Sequence, residues 1–164
     1  MLSPDRPRCF KIHLADERQT ARLGAALAPL LAPGDTVLLR GALGAGKSAL
    51  ARAVIGTALG DTGAEIPSPS YTLINIYRTA HGPVWHADLY RLTGVAGELE
   101  ELGLAEATGT ALVLVEWPER LGEELPGRRL DIALSAPRRG GRDVAVMLHG
   151  PGWDAVAALL EGWR

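Results

Sequence analysis

The stretch Gly41-Ala42-Leu43-Gly44-Ala45-Gly46-Lys47-Ser48 fits the pattern G-x-x-x-x-G-K-[ST] and decides the fold. Its glycines leave the backbone free to curl, so that several N–H groups can converge on one phosphate. Lys47 adds a mobile point charge for the β- and γ-phosphates, and Ser48 adds a hydroxyl for Mg2+. The stretch therefore predicts a phosphate-binding loop, the P-loop, that binds ATP with Mg2+. The residues predicted to contact the nucleotide are Gly41, Ala42, Leu43, Gly44, Ala45, Gly46, Lys47, Ser48 and Ala49.

The residues on either side of the P-loop have the pattern that such a loop requires. Residues 36–39 form a short apolar run typical of a buried strand. Residues 47–59 favour a helix, whose positive N-terminal dipole would face the phosphates. Lysine is rare in this chain, because only Lys11 and Lys47 among the 17 Lys and Arg residues are lysines. One of the two stands where the planar fork of arginine would not fit, which indicates a functional loop.

Strands and helices alternate along the first half of the chain, which predicts an α/β fold. Strands are predicted at 9–14, 36–39, 71–77, 84–89, 111–115, 130–134 and 144–148. Helices are predicted after an N-cap at Asp16, with apolar residues as far as Leu30, and at 47–59, 97–107, 120–125 and 153–163. Short connections make the 71–89 pair and the C-terminal pair antiparallel. We predict a single P-loop NTPase domain over residues 1–164, with a mixed, mainly parallel central sheet flanked by helices.

The composition is that of an ordinary globular protein, with 47% hydrophobic and 22% charged residues. A net charge of -2 provides no general attraction to nucleic acid or to an anionic membrane. Cys9 is the only cysteine, which excludes an intramolecular disulfide and fits a reducing compartment. The sequence has no apolar run of signal-peptide or membrane-spanning length. We predict a cytoplasmic protein without membrane association.

Two acidic residues stand where carboxylates would complete a magnesium site. Glu116 ends the apolar run 111–115, at the strand edge where α/β sheets bind ligands, which is the Walker B position. Asp88 lies within a predicted strand. The catalytic residues predicted on this basis are Lys47, Asp88 and Glu116, and the metal ligands predicted are Ser48, Asp88 and Glu116.

The surroundings of Asp88 leave two interpretations open. A strand places Asp88 on the same face as His86 and Tyr90. A carboxylate in the middle of a strand needs a partner if it is buried, and Mg2+ would be one. The alternative partner is an arginine, either Arg78 or Arg91. His86 itself is interpreted as a structural histidine whose hydrogen bonds are satisfied.

Four segments in a fixed order resemble the bacterial TsaE (YjeE) family. Besides the P-loop, they are Ser68-Pro69-Ser70-Tyr71-Thr72-Leu73, His86-Ala87-Asp88-Leu89-Tyr90-Arg91 and Val115-Glu116-Trp117-Pro118-Glu119. A P-loop alone is common to many protein families, whereas these three further segments in this order are much more specific. The resemblance extends from about Asp16 to Leu148.

The resemblance implies an ATPase required for the threonylcarbamoyladenosine modification at position 37 of tRNA. Its hydrolysis would be weak alone and would support turnover of a complex with TsaB and TsaD, and tRNA would be reached only through that complex. In the family pattern, Lys47 and Ser48 correspond to the phosphate and magnesium ligands. Asp88 corresponds to the essential acid, and Glu116 to the Walker B glutamate. Residues 68–72 resemble the switch-like loop of the family.

Two other functions remain open. A small-molecule kinase on a P-loop scaffold would need an acceptor pocket and usually a lid, for which the short segment 60–69 leaves little room. A non-catalytic, nucleotide-gated binding module is disfavoured because both Asp88 and Glu116 are present. Ala42 stands where the family commonly has aspartate, which affects a loop-stabilising bond and not nucleotide binding.

Three features near the C-terminus also allow expectations. Trp117 is expected to lie against the nucleotide or a partner, or else to pack on the turn at Pro118. The helix at 153–163 is expected to be a packing element. An arginine cluster near the C-terminal hairpin is expected either to contact tRNA phosphates or an acidic partner, or to be a solvated turn. Its members are Arg128, Arg129, Arg138, Arg139 and Arg142.

Overall fold

The structure is a computed structural model that describes residues 6–163, so the ends of the predicted domain, residues 1–5 and 164, lie outside the described residues. The strands are Arg8–Leu14 (β1), Thr36–Arg40 (β2), Ile74–Thr79 (β3), Gly82–Asp88 (β4), Leu112–Glu116 (β5), Arg129–Ser135 (β6) and Arg142–His149 (β7). The helices are Glu17–Leu27 (α1), Lys47–Ala58 (α2), Glu98–Glu101 (α3), Leu104–Ala107 (α4) and Asp154–Glu161 (α5), and 3-10 turns cover Ala28–Leu30 and Pro118–Leu121.

The seven strands form one sheet in the order β1-β7-β6-β2-β5-β4-β3. The inner strands β6, β2, β5 and β4 are parallel to one another, and the outer pairings are antiparallel. Parallel strands end at the same edge of the sheet, so the loops that follow β2, β5 and β4 lie side by side. This topology confirms the predicted mixed α/β sheet of a P-loop NTPase fold.

The central strands are buried on both faces of the sheet. Val37 and Leu39 of β2 belong to the larger core, together with residues of α1, α2 and α5. Leu38, on the opposite face, belongs to a smaller core that includes Leu104 and Ala107 of α4. Burial on both faces explains why these strands have continuous apolar sequences rather than alternating ones.

Helix α1 holds α2, the helix that follows the P-loop, in place. It begins where Asp16 accepts a hydrogen bond from the backbone N–H of Gln19 at 3.0 Å, so the predicted N-cap is confirmed. Gly24 of α1 faces α2 so closely that a Cβ on Gly24 would collide with the Ala53 methyl group. The two helices therefore pack at a distance that only glycine permits at this position.

The strand predicted at 71–77 is wrong in its start. The strand begins at Ile74 because the preceding residues form a turn. Leu73 has a φ of 66°, and its N–H donates a hydrogen bond to the Pro69 carbonyl at 2.7 Å. The segment 68–72 is therefore part of a loop that continues to the start of β3.

Two predicted helices are also wrong in extent. The helix at 97–107 is divided into α3 and α4 by Gly103, whose φ of 72° is not helical. The helix at 120–125 is instead the 3-10 turn Pro118–Leu121, which starts at a proline as helical turns often do. The remaining strands, α2 and α5 are confirmed to within two residues at each end. Within residues 6–163, every helix falls short of the length and hydropathy that a membrane span requires.

Candidate active site

The P-loop, Asp88 and Glu116 meet at the carboxyl edge of the parallel strands. The P-loop begins directly after β2, Asp88 is the last residue of β4, and Glu116 is the last residue of β5. The register of β4 and β5 pairs Asp88 directly with Glu116, and both side chains are buried. A hydrogen bond from Ser48 to Glu116 joins the P-loop to this pair. The structure thus brings together Lys47, Ser48, Asp88 and Glu116.

The glycines of the P-loop adopt backbone conformations that other residues rarely take. Gly41, Gly44 and Gly46 have φ angles of 145°, 76° and 108°. At Gly41 a Cβ would also collide with the Leu134 carbonyl oxygen of β6, whereas the space around Gly44 is open. Helix α2 begins at Lys47, so its free N-terminal N–H groups border the loop. This combination is typical of an anion-binding loop.

Lys47 is buried and contacts carbonyl groups of its own loop. Its Nζ donates to the carbonyl oxygen of Gly41 at 2.7 Å and to that of Ala42 at 2.8 Å. The ammonium also lies 4.2 Å from the centroid of the Trp117 ring, as in a cation–π contact. In this structure the Lys47 ammonium is therefore held by carbonyl groups at the start of the P-loop.

Burial and nearby acids act in opposite directions on Lys47. Burial lowers its pKa below the ordinary value because the charged form loses solvation. Glu116, Asp88 and Glu119 each raise the pKa through their negative charges, but their combined effect is smaller than that of burial. The carboxylates of the site thus help to keep the lysine protonated.

Glu116 connects the P-loop with β4 through both of its carboxylate oxygens. The Ser48 hydroxyl donates to Oε1 at 2.8 Å, and His86 Nε2 lies 2.7 Å from Oε2. The other ring nitrogen of His86, Nδ1, is buried without a hydrogen-bond partner in the described part of the chain. The interpretation of His86 as a histidine with satisfied hydrogen bonds is therefore wrong for Nδ1.

Asp88 connects β4 with the loop at 68–72. It accepts a hydrogen bond from the Tyr90 backbone N–H at 3.0 Å and one from the Ser70 hydroxyl at 3.3 Å. Ser70 Oγ is also 2.9 Å from Ser68 Oγ. A change in the position of the Asp88 carboxylate would therefore change the hydrogen bonding of this loop directly.

Arg91 contacts Tyr71 and not Asp88, the partner that the sequence allowed for it. Its guanidinium lies over the exposed Tyr71 ring, with Cζ 4.1 Å from the ring centroid. Within residues 6–163, the contacts that the structure gives Asp88 are hydrogen bonds from Ser70 and Tyr90, not an arginine ion pair. The arginine alternative for Asp88 is therefore wrong.

Trp117 lies beside the P-loop, next to Lys47. Its backbone adopts a left-handed conformation with a φ of 57°, directly after β5. Its ring stands 4.8 Å from the Tyr90 ring, at an interplanar angle of 43°. Tyr90 and Lys47 thus contact the indole, which also packs against the smaller core.

Arg142 contacts the P-loop from β7. Its Nε donates to the Ala45 carbonyl at 2.8 Å, and its Nη2 donates to the Gly44 carbonyl at 3.1 Å. Sequence reasoning missed this role and counted Arg142 among the arginines of the hairpin. The predicted strand 144–148 left Arg142 in the preceding turn, and the spacing of residues does not reveal which loop that part of the chain faces.

The prediction of a single arginine cluster is wrong. Arg128 and Arg129 lie at the start of β6, whereas Arg138, Arg139 and Arg142 follow its end. A seven-residue strand separates the two groups by roughly 20 Å. Arg128, Arg129 and Arg139 each form an ion pair with an aspartate of the fold. Three of these five arginines are therefore paired with carboxylates of the protein itself.

The oxygen donors at this edge fit a Mg2+ ion shared with a nucleotide. The Ser48 hydroxyl and the Glu116 carboxylate are already in contact, and Asp88 is their neighbour in the sheet. Proteins usually hold Mg2+ with one or two carboxylates together with substrate phosphates. Among residues 6–163, no group of three or more His, Cys, Asp or Glu side chains could hold a metal ion by itself.

Residues 14–144 match the family model described as threonylcarbamoyl adenosine biosynthesis protein TsaE. A tRNA threonylcarbamoyladenosine biosynthesis protein TsaE from Streptomyces coelicolor is 40% identical over 147 residues, which cover 85% of this chain and 98% of that protein. The protein of the same name from Rickettsia bellii is 38% identical over 121 residues, 74% of this chain and 83% of that protein.

A solved structure resembles the whole fold. The crystal structure of YdiB from Bacillus subtilis has a TM-score of 0.77 and 27% sequence identity, and the match covers 94% of this chain and 95% of that chain. The arrangement of strands around the P-loop is therefore shared with an experimental structure.

Proposed function

The chain belongs to the TsaE family, whose members are tRNA threonylcarbamoyladenosine biosynthesis proteins, and from this premise we propose that it is the ATPase that supports turnover of a TsaB–TsaD complex. Its cofactors are ATP and Mg2+, and its place of action is the cytoplasm. Because the net charge is -2, tRNA would be reached through the complex rather than by general attraction.

The observation that carries this proposal is the hydrogen bond from Ser48 to Glu116 next to Lys47, with Asp88 as the neighbour of Glu116 in the sheet. Phosphoryl transfer to water requires groups that bind the phosphates, hold Mg2+ and orient the water. The site offers a loop of free N–H groups, a lysine, a hydroxyl and two carboxylates for these tasks. Catalysis of this kind depends on positioning and on charge, because the protein forms no covalent bond to the phosphoryl group.

In the proposed reaction, Lys47 exchanges its carbonyl partners for phosphate oxygens. The bonds from Nζ to Gly41 and Ala42 are ordinary in length, so a negatively charged phosphate at the same distance would compete well for the ammonium. The backbone N–H groups of the P-loop and the N-terminus of α2 would bind the remaining oxygens.

Ser48, Asp88 and Glu116 are the groups that would hold Mg2+. The ion would neutralise charge on the phosphates and orient them. A carboxylate that is not occupied by the ion can accept a proton from an attacking water, and both Asp88 and Glu116 have the chemistry for this step.

The energy of hydrolysis would be used through a difference in partner affinity between nucleotide states. The loop at 68–72 is the proposed moving part. Its Ser70 donates a hydrogen bond to Asp88, so a Mg2+ ion bound by Asp88 would affect the position of the loop. Phosphate-dependent ordering of a loop is a common way to link hydrolysis to binding.

The test is an assay of modified nucleosides formed per TsaD in the presence of TsaB, threonylcarbamoyl-adenylate, tRNA and ATP. We expect many rounds of modification when this chain is added, and slow phosphate release when it is alone. Equal multiple turnover without the chain, or full support by a folded Lys47→Ala variant, would contradict the proposal. Formation of a phosphorylated metabolite instead of free phosphate would favour a small-molecule kinase.

A further inference from the structure

His86 lies behind Glu116, on the side away from the P-loop hydroxyl. It is the third-last residue of β4, it is 0% exposed, and its Nε2 is 2.7 Å from Glu116 Oε2. In the register of β4 and β5, His86 pairs with Leu114, so Glu116 is its diagonal neighbour on the same face. The contact is therefore fixed by the sheet and not by a flexible loop.

The chemistry of the contact determines which atom donates. An ionised carboxylate has no hydrogen to give, so His86 Nε2 must carry the hydrogen and donate it to Glu116. Because Nδ1 has no hydrogen-bond partner among the described residues, a hydrogen on Nδ1 would be a buried unpaired N–H, whereas a hydrogen on Nε2 is paired with Glu116. The structure thus selects one tautomer of His86.

We propose that His86 is a positioning residue for the hydrolysis reaction, which fixes the rotation of the Glu116 carboxylate so that Oε1 faces Ser48 and the phosphate site. The inference rests on the proposed ATPase function. The terminal torsion of a glutamate is broad and roughly two-fold, so backbone placement alone does not orient its two oxygens. His86 occupies Oε2, and this leaves Oε1 for Ser48 and its surroundings.

A purely structural role explains this residue less well. An apolar side chain would fill the same space without burying an unpartnered nitrogen, but it would leave Glu116 Oε2 without its donor. The one hydrogen bond that the His86 ring makes within the described residues therefore goes to the carboxylate of the site. The gain is an oriented carboxylate at the point where β5 meets the P-loop.

Three substitutions separate orientation from packing. Glutamine can place its amide nitrogen where Nε2 is, so His86→Gln keeps the donor, whereas the shorter His86→Asn and the apolar His86→Leu remove it. We expect His86→Asn and His86→Leu to lower kcat by about 10- to 100-fold. We expect His86→Gln to stay within about threefold of wild type, as residues that act through a second group usually tolerate a matched donor. His81→Asn, in the exposed turn between β3 and β4, is the matched control and should leave kcat unchanged.

The same variants should not change the affinity for ATP in the absence of Mg2+. In the presence of EDTA, the Kd for ATP should change by less than about twofold, because His86 does not face the phosphate loop, while the Mg2+ concentration for half-maximal activity should rise. Unchanged kcat and Mg2+ dependence in folded His86→Asn would overturn the positioning role. Equal losses in His86→Gln and His86→Leu would also overturn it, because donor identity would then not matter.

A spectroscopic measurement on the unmodified protein covers the case in which the variants do not fold. Nitrogen-15 NMR of the histidine rings should show a hydrogen on Nε2 of His86, and Glu116→Gln should shift that resonance. Hydrogen on Nδ1 alone would sink the inference. This result does not depend on ATP hydrolysis, so a chain without ATPase activity but with the Nε2 tautomer would contradict the proposed function and not the geometry.

Discussion

Asp88 and Glu116 face each other on neighbouring strands, so the fold holds two buried carboxylates side by side. Like charges in directly opposite positions destabilise a sheet. Lys47 offsets part of this repulsion, since both carboxylates raise its pKa through their charge. Residues that oppose folding but are kept together in this way are typical of functional sites.

Replacement of Lys47 by alanine should weaken Mg-ATP binding by roughly 1.5–3 kcal/mol, or about 10- to 100-fold in Kd, because a charged donor to the phosphates is lost. Isothermal titration calorimetry measures this directly. Lys11→Ala is the matched control, since Lys11 is the other lysine of the chain and its side chain is exposed. Equal affinities for the Lys47 variant and wild type would remove the P-loop assignment.

Neutralising either carboxylate should separate activity from stability. We expect Asp88→Asn and Glu116→Gln to lower phosphate release by roughly 100- to 10,000-fold, because each removes a carboxylate that is proposed to accept a proton or to bind Mg2+. Their melting temperatures should equal or exceed that of wild type, since the repulsion between the two acids disappears. Glu123→Gln, at an exposed position, serves as the control. Full activity in either site variant would show that its carboxylate has no catalytic role.

At the level of elements, the sequence allowed most strands to be predicted because the buried ones are continuous apolar runs. The boundaries failed where one residue overrides the pattern. Leu73 looks like the start of a strand, but its positive φ keeps it in a turn. A single glycine such as Gly103 does not exclude a helix, so the sequence predicted one helix at 97–107. In the structure Gly103 separates two short helices. Backbone conformations of this kind depend on tertiary contacts that periodicity does not contain.

The contacts of the site were harder to predict than its members. The P-loop motif identified Lys47 and Ser48, the end of an apolar run identified Glu116, and Asp88 was identified as a carboxylate within a predicted strand. The bond between His86 and Glu116 depends on β4 and β5 being neighbours, which the spacing of residues does not reveal. The contact of Arg142 with the P-loop likewise depends on the position of β7 in the sheet.

Two glycines of the P-loop should differ in their tolerance of a side chain. Gly44→Ala should cost roughly 1–2 kcal/mol from backbone strain alone, since the space around Gly44 is open. Gly41→Ala should cost more, because its Cβ would also collide with the Leu134 carbonyl. Urea unfolding of both variants tests this order. A Gly41→Ala protein as stable as Gly44→Ala would mean that β6 does not confine the start of the loop.

The contact between β7 and the P-loop should matter for nucleotide binding. Arg142→Ala removes two hydrogen bonds to P-loop carbonyls and should weaken Mg-ATP binding by about tenfold, or ~1.4 kcal/mol. Arg138→Ala, in the exposed turn before β7, is the control and should bind ATP like wild type. Equal weakening in both variants would instead point to the general positive charge of the turn.

At the scale of the whole molecule, one histidine should make folding sensitive to mild acid. Burial lowers the pKa of His149, Arg129 and Arg40 add to this effect, and Asp131 opposes it. The folded protein therefore binds a proton here less readily than the unfolded chain, in which histidine titrates near 6.5. By linkage, this group lowers the stability as the pH falls below about 6.5.

Denaturant unfolding between pH 7.5 and pH 5 measures this effect. The free energy of unfolding of wild type should fall more steeply with decreasing pH than that of His149→Gln, which cannot take up the proton. His81→Gln, at an exposed turn position, controls for the loss of a histidine. Parallel curves for wild type and His149→Gln would contradict the expectation.

The order of strands in the sheet also has a consequence for how the protein is made. The neighbours of β2, which are β5 and β6, and the arginine that contacts the P-loop all follow the P-loop in the chain. As a ribosome extends the polypeptide from its N-terminus, the motif at 41–48 emerges long before any of these partners. A nascent chain that stops short of Arg142 therefore carries the P-loop sequence without the two hydrogen bonds from β7 that contact the loop.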